Sequence, residues 1–290
     1  MKKQASIISD LLRVKQWPKN MLIFGALVFT GNLFNLPFFL KVLLGFFLLS
    51  FASSSLYIFN DINDYKEDRL HPEKKFRPIA SGAVKKDFAY SLSAILMLVS
   101  LTCSFFLSKP FFIITLIYAV MTVLYTLKLK HMVILDVFEI STGFVIRAAA
   151  GALIISVTIS PWLLICTTLL ALFVALSKRR HELSLPDAQK HRKILQEYSI
   201  PLLDQMISVV TASTVVAYTL YTFTSQTAEK HNYLMFTVPF VLYGIFRYLY
   251  LVHKKNLGGS PETVFLKDIP MIVNIVLYII SSIIIVYFIK

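Results

Sequence analysis

Phe38-Phe39-Leu40-Lys41-Val42-Leu43-Leu44-Gly45-Phe46-Phe47-Leu48-Leu49-Ser50-Phe51-Ala52-Ser53-Ser54-Ser55-Leu56-Tyr57-Ile58-Phe59 runs without a break into Asn60-Asp61-Ile62-Asn63-Asp64-Tyr65-Lys66-Glu67-Asp68. The first part is long and apolar enough to cross a hydrocarbon core about 30 Å thick. The second sets three carboxylates at the mouth of that span. On a helix turning about 100° per residue, Asp61, Asp64 and Asp68 fall within roughly a 60° arc and share one face. Three mutually repelling anions at a membrane boundary are costly unless a cation compensates them, and hard oxygen ligands suit Mg²⁺ carrying a phosphorylated substrate. The alternative is a solvated acidic loop.

The rest of the chain extends the membrane pattern. Of its 290 residues 57% are hydrophobic and only 16% charged, with a mean hydropathy of +0.69, which excludes an ordinary soluble surface. Apolar runs near Met21–Leu36, Phe38–Phe59, Phe88–Ser108, Phe111–Leu127, Leu135–Val157, Pro161–Ser177, Leu202–Thr224, Tyr233–Val252 and Pro270–Ile289 predict nine membrane-spanning helices in an all-α bundle. Lys and Arg gather before span one and after spans two, four, six and eight, while the other side receives only Lys41, Lys109, Lys230 and Lys290. By the positive-inside bias, the amino terminus is cytoplasmic, the carboxyl terminus outside, and polar chemistry faces the cytoplasm.

A single domain over residues 1–290 is expected, with 1–19 an interfacial amino-terminal segment and 60–87 and 178–201 cytoplasmic loops around a polar cavity. The polar insertions after spans two and six, with shorter ones after four and eight, hint at a duplicated arrangement. The net charge of +13 lies in loops between spans, which argues against nucleic acid and for anionic lipid and phosphorylated substrates. Cys103 and Cys166 have no pair or zinc spacing and read as packing residues. Met1-Lys2-Lys3 resembles a signal start, but Asp10, Arg13 and Lys15 follow and no cleavage is expected. Ile7, Ile8, Leu11 and Leu12 recur at helical spacing, predicting a short interfacial helix ahead of Trp17 and Pro18.

Arg147 and Arg247 lie in or near spans, where an unpaired cation costs several kcal/mol, on the order of 2.5 to 3.5. Arg147 is expected to face a polar interior and Arg247 to snorkel. Lys178 and Glu182 are spaced for an i, i+4 pair. His71, His131 and His181 lack ligand spacing and read as hydrogen-bonding partners. Gly258-Gly259-Ser260-Pro261-Glu262 reads as a loop, with Asp268 near the cavity.

The first insertion continues as Arg69-Leu70-His71-Pro72-Glu73-Lys74-Lys75-Phe76-Arg77-Pro78-Ile79-Ala80-Ser81-Gly82. Asn-Asp-x-x-Asp-x-x-x-Asp followed by His-Pro-x-Lys and Arg-Pro-Ile-Ala-Ser-Gly resembles the UbiA superfamily of intramembrane prenyltransferases over essentially the whole chain. That resemblance implies a nine-helix bundle in which the aspartates bind Mg²⁺ and a diphosphate leaving group. Most prenyl-diphosphate users in the superfamily carry a second aspartate cluster after span six. Here the chain instead reads Ser177-Lys178-Arg179-Arg180-His181-Glu182, then Asp187 and His191-Arg192-Lys193.

This exchange of carboxylate for cation suits a site holding one magnesium-bound diphosphate and one further phosphate. With Arg13-Val14-Lys15-Gln16-Trp17-Pro18-Lys19-Asn20, Tyr125 to His131, Asp136, Gly143 and Arg147 to Gly151, it resembles the decaprenyl-phosphate phosphoribosyltransferase branch. The resemblance implies Mg²⁺-dependent transfer of phosphoribose from phosphoribosyl diphosphate to a polyprenyl phosphate. It makes Asp61, Asp64 and Asp68 the metal-binding catalytic set. The candidate substrate contacts are Asn60, Lys15, Lys19, Lys75, Arg77, Tyr125, Lys130, Arg147, Lys178, Arg179 and Glu182. Two other functions stay open. One is a conventional prenyltransferase with Glu182 and Asp187 in place of the missing aspartates; the other is a lipid-phosphate carrier that transforms nothing.

Overall fold

A computed structural model describes residues 2–70, 74–158, 160–185, 193–255 and 267–289, together with Leu257 and Val264. His71, Asp187, His191, Arg192 and the Gly258–Glu262 loop lie outside the described residues. The elements in order are α1 (Lys2–Leu11), a 3₁₀ run (Val14–Phe24), α2 (Gly25–Phe29), α3 (Leu36–Asn63), α4 (Tyr65–Leu70), α5 (Lys86–Leu107), α6 (Lys109–Leu127), α7 (Leu135–Ile154), α8 (Pro161–Ser184), α9 (Ile200–Thr224), α10 (Gln226–Lys230), α11 (Val238–Lys255) and α12 (Ile269–Phe288). Short 3₁₀ pieces occur in several connections, one of them leading into α11 from Asn232.

Among the described residues, eight helices are long and apolar enough to cross a membrane, and they correspond to the expected spans two to nine. The first expected span instead forms the 3₁₀ run and α2. Pro18 lacks an amide hydrogen, and the tighter coil rises about 2.0 Å per residue, so few residues cover much length.

Lipid as solvent explains which side chains point where. Phe34, Phe106, Leu98 and Phe288 are exposed, while Ser50, Ser53, Ser54, Ser55, Ser100 and Ser104 are buried. Small hydroxylated residues let helices approach closely, and apart from Ser104 these serines find hydrogen-bond partners inside the bundle. The Ser55 hydroxyl donates to the Ser93 carbonyl at 2.7 Å, and that of Ser100 to the Leu48 carbonyl at 2.8 Å, fastening α5 to α3. Helix α7 is the central wall. Ile146 and Ala150 pack with Ile23, Leu27 and Phe111 on one side, and Val137 with Leu172, Phe173 and Leu203 on the other.

The 3₁₀ run is held against α3 and α7 by three ties. Trp17 Nε1 donates to Ser54 at 3.1 Å and Asn20 Nδ2 to Ser50 at 3.0 Å. Gly151 lets the Ile23 carbonyl approach so closely that a Cβ there would stand 1.9 Å from its oxygen.

Helix α3 carries the acidic motif outward. Asn35 caps its start by accepting from Phe38 N, Pro37 sits in its first turn, and its 28 residues span about 42 Å. That exceeds the hydrocarbon thickness, so the last turns stand clear of it. Among the described residues, the segments expected as loops begin in helix. Asn60 and Asp61 lie in the last turn of α3, Asp64 caps it, and Asp68 lies on α4. Likewise Lys178, Arg179 and Glu182 belong to α8, which continues to Ser184.

Candidate active site

The three aspartates converge, although a helix break separates the last from the first. Arg77 Nη1 donates to Asp61 Oδ1 at 3.0 Å and to Asp68 Oδ2 at 2.7 Å, so one guanidinium nitrogen clasps carboxylates from α3 and α4. Arg13 also pairs with Asp61, its guanidinium 5.0 Å from the centre of the Tyr57 ring. Lys130 pairs with Asp64, whose other oxygen accepts from Asn60 Nδ2 at 3.0 Å. Thr126 on α6 donates to Asn60 Oδ1 at 3.3 Å. Asp61 and Asp68 are each only 3% exposed. Burial pushes the Asp68 carboxyl above the usual carboxylate range, with Arg77 acting against the rise.

Local structure puts Arg77 in reach. Arg69 Nε donates to the Ala80 carbonyl at 3.0 Å, Val84 N to the Pro78 carbonyl at 3.0 Å, and Gly82 takes a φ of 78° in the turn before α5. Arg13 reaches Asp61 because its backbone is left-handed (φ 50°, ψ 46°), which turns the chain sharply between α1 and the 3₁₀ run.

A second ionic cluster lies where α7 and α8 meet. Arg179, buried, donates through Nε to Asp136 Oδ2 at 2.7 Å and pairs with Glu182. Tyr198 donates to Asp136 Oδ1 at 2.7 Å while accepting from Ile134 N at 2.7 Å. Burial and its bond to Asp136 push the Tyr198 hydroxyl up to about 12. Tyr125, next to Thr126 on α6, lies within electrostatic reach of Arg179.

Deeper in the bundle, Arg147 donates to Asn20 Oδ1 at 2.7 Å, the Gly143 carbonyl at 2.6 Å and Tyr118 Oη at 2.7 Å. It does face a polar interior, as its position in a span requires, but that interior is made of protein groups.

Asn60, Asp61, Asp64, Asp68, Arg77 and Lys130 thus form one cluster, whereas Arg147 and the Arg179–Glu182 pair lie in separate networks. Lys15 is exposed beside Asp10, and Lys75 is exposed beside the Phe76 ring. Lys19, Lys178 and Tyr125 are half-buried. Glu182 receives the Arg179 guanidinium, not simply the Lys178 partner that spacing suggested. Arg247 does not end free at the interface: it binds both oxygens of Asp268, at 3.1 and 2.8 Å. That bond holds the Asp268 carboxyl below the usual range.

Two contributions escape sequence reasoning, Arg13 on Asp61 and Asp136 under Arg179. For Asp136 the signals are its place in the first turn of an apolar span and among the residues that carry the branch resemblance, neither of which names Arg179 as its partner. Among the described residues no three Asp, Glu, His or Cys side chains converge at metal-holding spacing. The chain's own cations Arg13, Arg77 and Lys130 lie against the carboxylates of Asp61, Asp64 and Asp68. Two cavities, of about 600 Å³ beside Tyr233, Phe236 and Ile284 and about 350 Å³ beside Leu33 and Phe39, are lined by other residues.

The model of the UbiA prenyltransferase family matches residues 21–269. The chain is 33% identical to a decaprenyl-phosphate phosphoribosyltransferase of Mycolicibacterium smegmatis, over 91% of this chain and 88% of that one. It is 30% identical to a protein of the same description from Mycobacterium tuberculosis, over 89% and 86%. Among solved structures it resembles a UbiA homolog from Archaeoglobus fulgidus bound to GPP and Mg²⁺, with a TM-score of 0.75 at 17% identity, covering 97% of this chain and 99% of that one. That likeness is one of fold. The long apolar helices make the protein an integral membrane protein, and the extent of the family match decides its kinship: the chain belongs to the UbiA prenyltransferase family.

Proposed function

We propose that the chain transfers 5-phosphoribose from phosphoribosyl diphosphate to a polyprenyl phosphate of the decaprenyl type, releasing diphosphate. This is a pentosyl transfer at the cytoplasmic face of the cell membrane, with the amino terminus inside and the carboxyl terminus outside, as the basic loops favour. The observation that carries the reading is the likeness to named phosphoribosyltransferases along 91% of the chain. The mixed-sign cluster around Asp61 supports it.

The donor chemistry of that cluster fits Mg²⁺. Such an ion keeps several waters and takes one or two carboxylates besides substrate phosphates, so it does not need a preformed three-ligand cage. Asp61, Asp64 and Asp68, with Asn60 beside them, are the residues that would hold it. When bound, the metal neutralises diphosphate charge and eases its departure.

Arg13, Arg77 and Lys130, which here balance the carboxylates, then have phosphate oxygens as partners. As the bond from ribose C1 to the diphosphate oxygen breaks, its electron pair leaves with the diphosphate, and these cations stabilise the growing charge. An oxygen of the lipid phosphate forms the new bond to C1. A phosphomonoester already carries about −1.5 to −2 charge at neutral pH, so no general base is required. Lys15, Lys19, Lys75 and Lys178 raise the local positive potential that draws two polyanions together. Tyr125, Arg147, Arg179 and Glu182 act as supports of the site walls.

Purified protein with Mg²⁺, labelled phosphoribosyl diphosphate and decaprenyl phosphate should give labelled lipid and diphosphate. Asp61→Asn should abolish both while the protein remains folded. Label transfer only from a prenyl diphosphate to an aromatic acid, or binding without any diphosphate release, would overturn the reading.

A further inference from the structure

One helical turn below the acidic cluster, α6 and α7 enclose polar groups that the transfer step leaves unused. Thr126, which donates to Asn60, also donates to the Thr122 carbonyl at 3.0 Å, so Thr122 lies on the same face about 6 Å deeper. The Thr122 hydroxyl is buried without a hydrogen-bond partner. From α7, Glu139, on the same helix face as Gly143 and Arg147, lies within interaction range of it without a formed bond. Its compensating charge is Arg147, whose guanidinium runs back along α7 to the Gly143 carbonyl. Gly143 makes that course available, since a Cβ there would meet Arg147 Nη1 at 3.1 Å.

A carboxylate and an orphan hydroxyl at membrane depth are costly unless something hydrogen-bonds them. An isoprenoid chain extending from a diphosphate held at Asp61 and Asp64 would bury that carboxylate against hydrocarbon. A sugar ring held the same way brings hydroxyl groups that donate to the carboxylate and satisfy Thr122. We propose that Glu139 and Thr122 are the donor-specificity site, receiving the ribose hydroxyls and rejecting prenyl diphosphates. This rests on the proposed phosphoribosyl transfer and names the groups that select its donor.

The test compares phosphoribosyl diphosphate with its 2-deoxy and 3-deoxy analogues in wild type, Glu139→Gln and Thr122→Val, with inorganic pyrophosphate inhibition as a readout blind to the sugar. In wild type, removing the hydroxyl that meets Glu139 should lower kcat/KM about tenfold to a hundredfold. In Glu139→Gln the natural donor should fall by a similar factor, and its advantage over the deoxy analogue should shrink to within about threefold, with pyrophosphate inhibition unchanged. A purely structural role would lower all donors alike and keep the ratio. An undiminished ratio in both variants, while Asp61→Asn still abolishes pyrophosphate inhibition, would overturn this inference alone. Pyrophosphate inhibition indifferent to Asp61→Asn would instead undo the site on which it rests.

Discussion

Gly151→Ala adds one methyl group at the point where the 3₁₀ run lies on α7. The new Cβ would stand 1.9 Å from the Ile23 carbonyl oxygen and 2.9 Å from its carbon. A tolerable carbon–oxygen contact is roughly 3.3 Å, so the two backbones must part by roughly 1.4 Å. No rotamer change relieves this, because both colliding atoms belong to main chain. Three residues along the run, Asn20 accepts from Arg147 at 2.7 Å and donates to Ser50 at 3.0 Å, and a shift of that size takes at least one bond out of range. Overpacking of about 1–3 kcal/mol plus a strained buried hydrogen bond of about 1 kcal/mol predicts a clear loss of stability.

The run also carries Arg13 toward Asp61, so turnover should fall more than the folded fraction does. Thermal unfolding in detergent, read alongside turnover at a temperature where the variant is folded, measures both. Gly45→Ala is the control: its Cβ meets the Ile154 Cδ1 at 2.3 Å, a side-chain tip that can turn aside. Equal melting temperatures and rates for wild type and Gly151→Ala would refute the reasoning, as would equal damage from the two glycine replacements.

Removing Asp136 should leave buried Arg179 with Glu182 as its remaining carboxylate partner, so Asp136→Asn should destabilise the fold by about 1–3 kcal/mol, read as a lowered unfolding midpoint; an unchanged midpoint would contradict the buried pair. Tyr198 holds its proton to about 12, against about 10 in the unfolded chain. The native state therefore keeps a proton that the unfolded state sheds, and stability falls as pH rises through that window. Tyr198→Phe should remove about 1.4 kcal/mol of the alkaline loss by pH 11, so parallel stability curves for the two proteins between pH 9 and 11 would count against the burial of Tyr198 and its bond to Asp136.

What the sequence reveals of this molecule follows from what is local in it. Spans two to nine are legible because lipid demands long apolar runs, and a helix must satisfy its own backbone in hydrocarbon. The acidic arc is legible for the same reason, although its continuity is not: α3 stops at Asn63, and Arg77 bridges Asp68 back to Asp61. The first span is misread as an ordinary helix because composition registers its apolarity and not the pitch that Pro18 and its polar ties to α3 favour.

Charge partners are the least legible. Arg13, Lys15 and Lys19 look alike as flanking cations, yet it is Arg13 that pairs with Asp61, through a left-handed residue that no residue pattern announces, while Lys15 lies beside Asp10. Arg179 and Lys178 look alike as phosphate contacts, yet Arg179 faces an aspartate 43 positions earlier. Helical periodicity extends over a few turns, whereas an ion pair depends on a separation of a few ångströms between segments whose order along the chain does not determine their approach. Sequence therefore yields the inventory of opposed charges at one end of the bundle. Which cation guards a carboxylate and which stays open to a phosphate is decided by helix packing, with α6 presenting Thr126 to the acidic cluster while its neighbour Tyr125 stands toward Arg179.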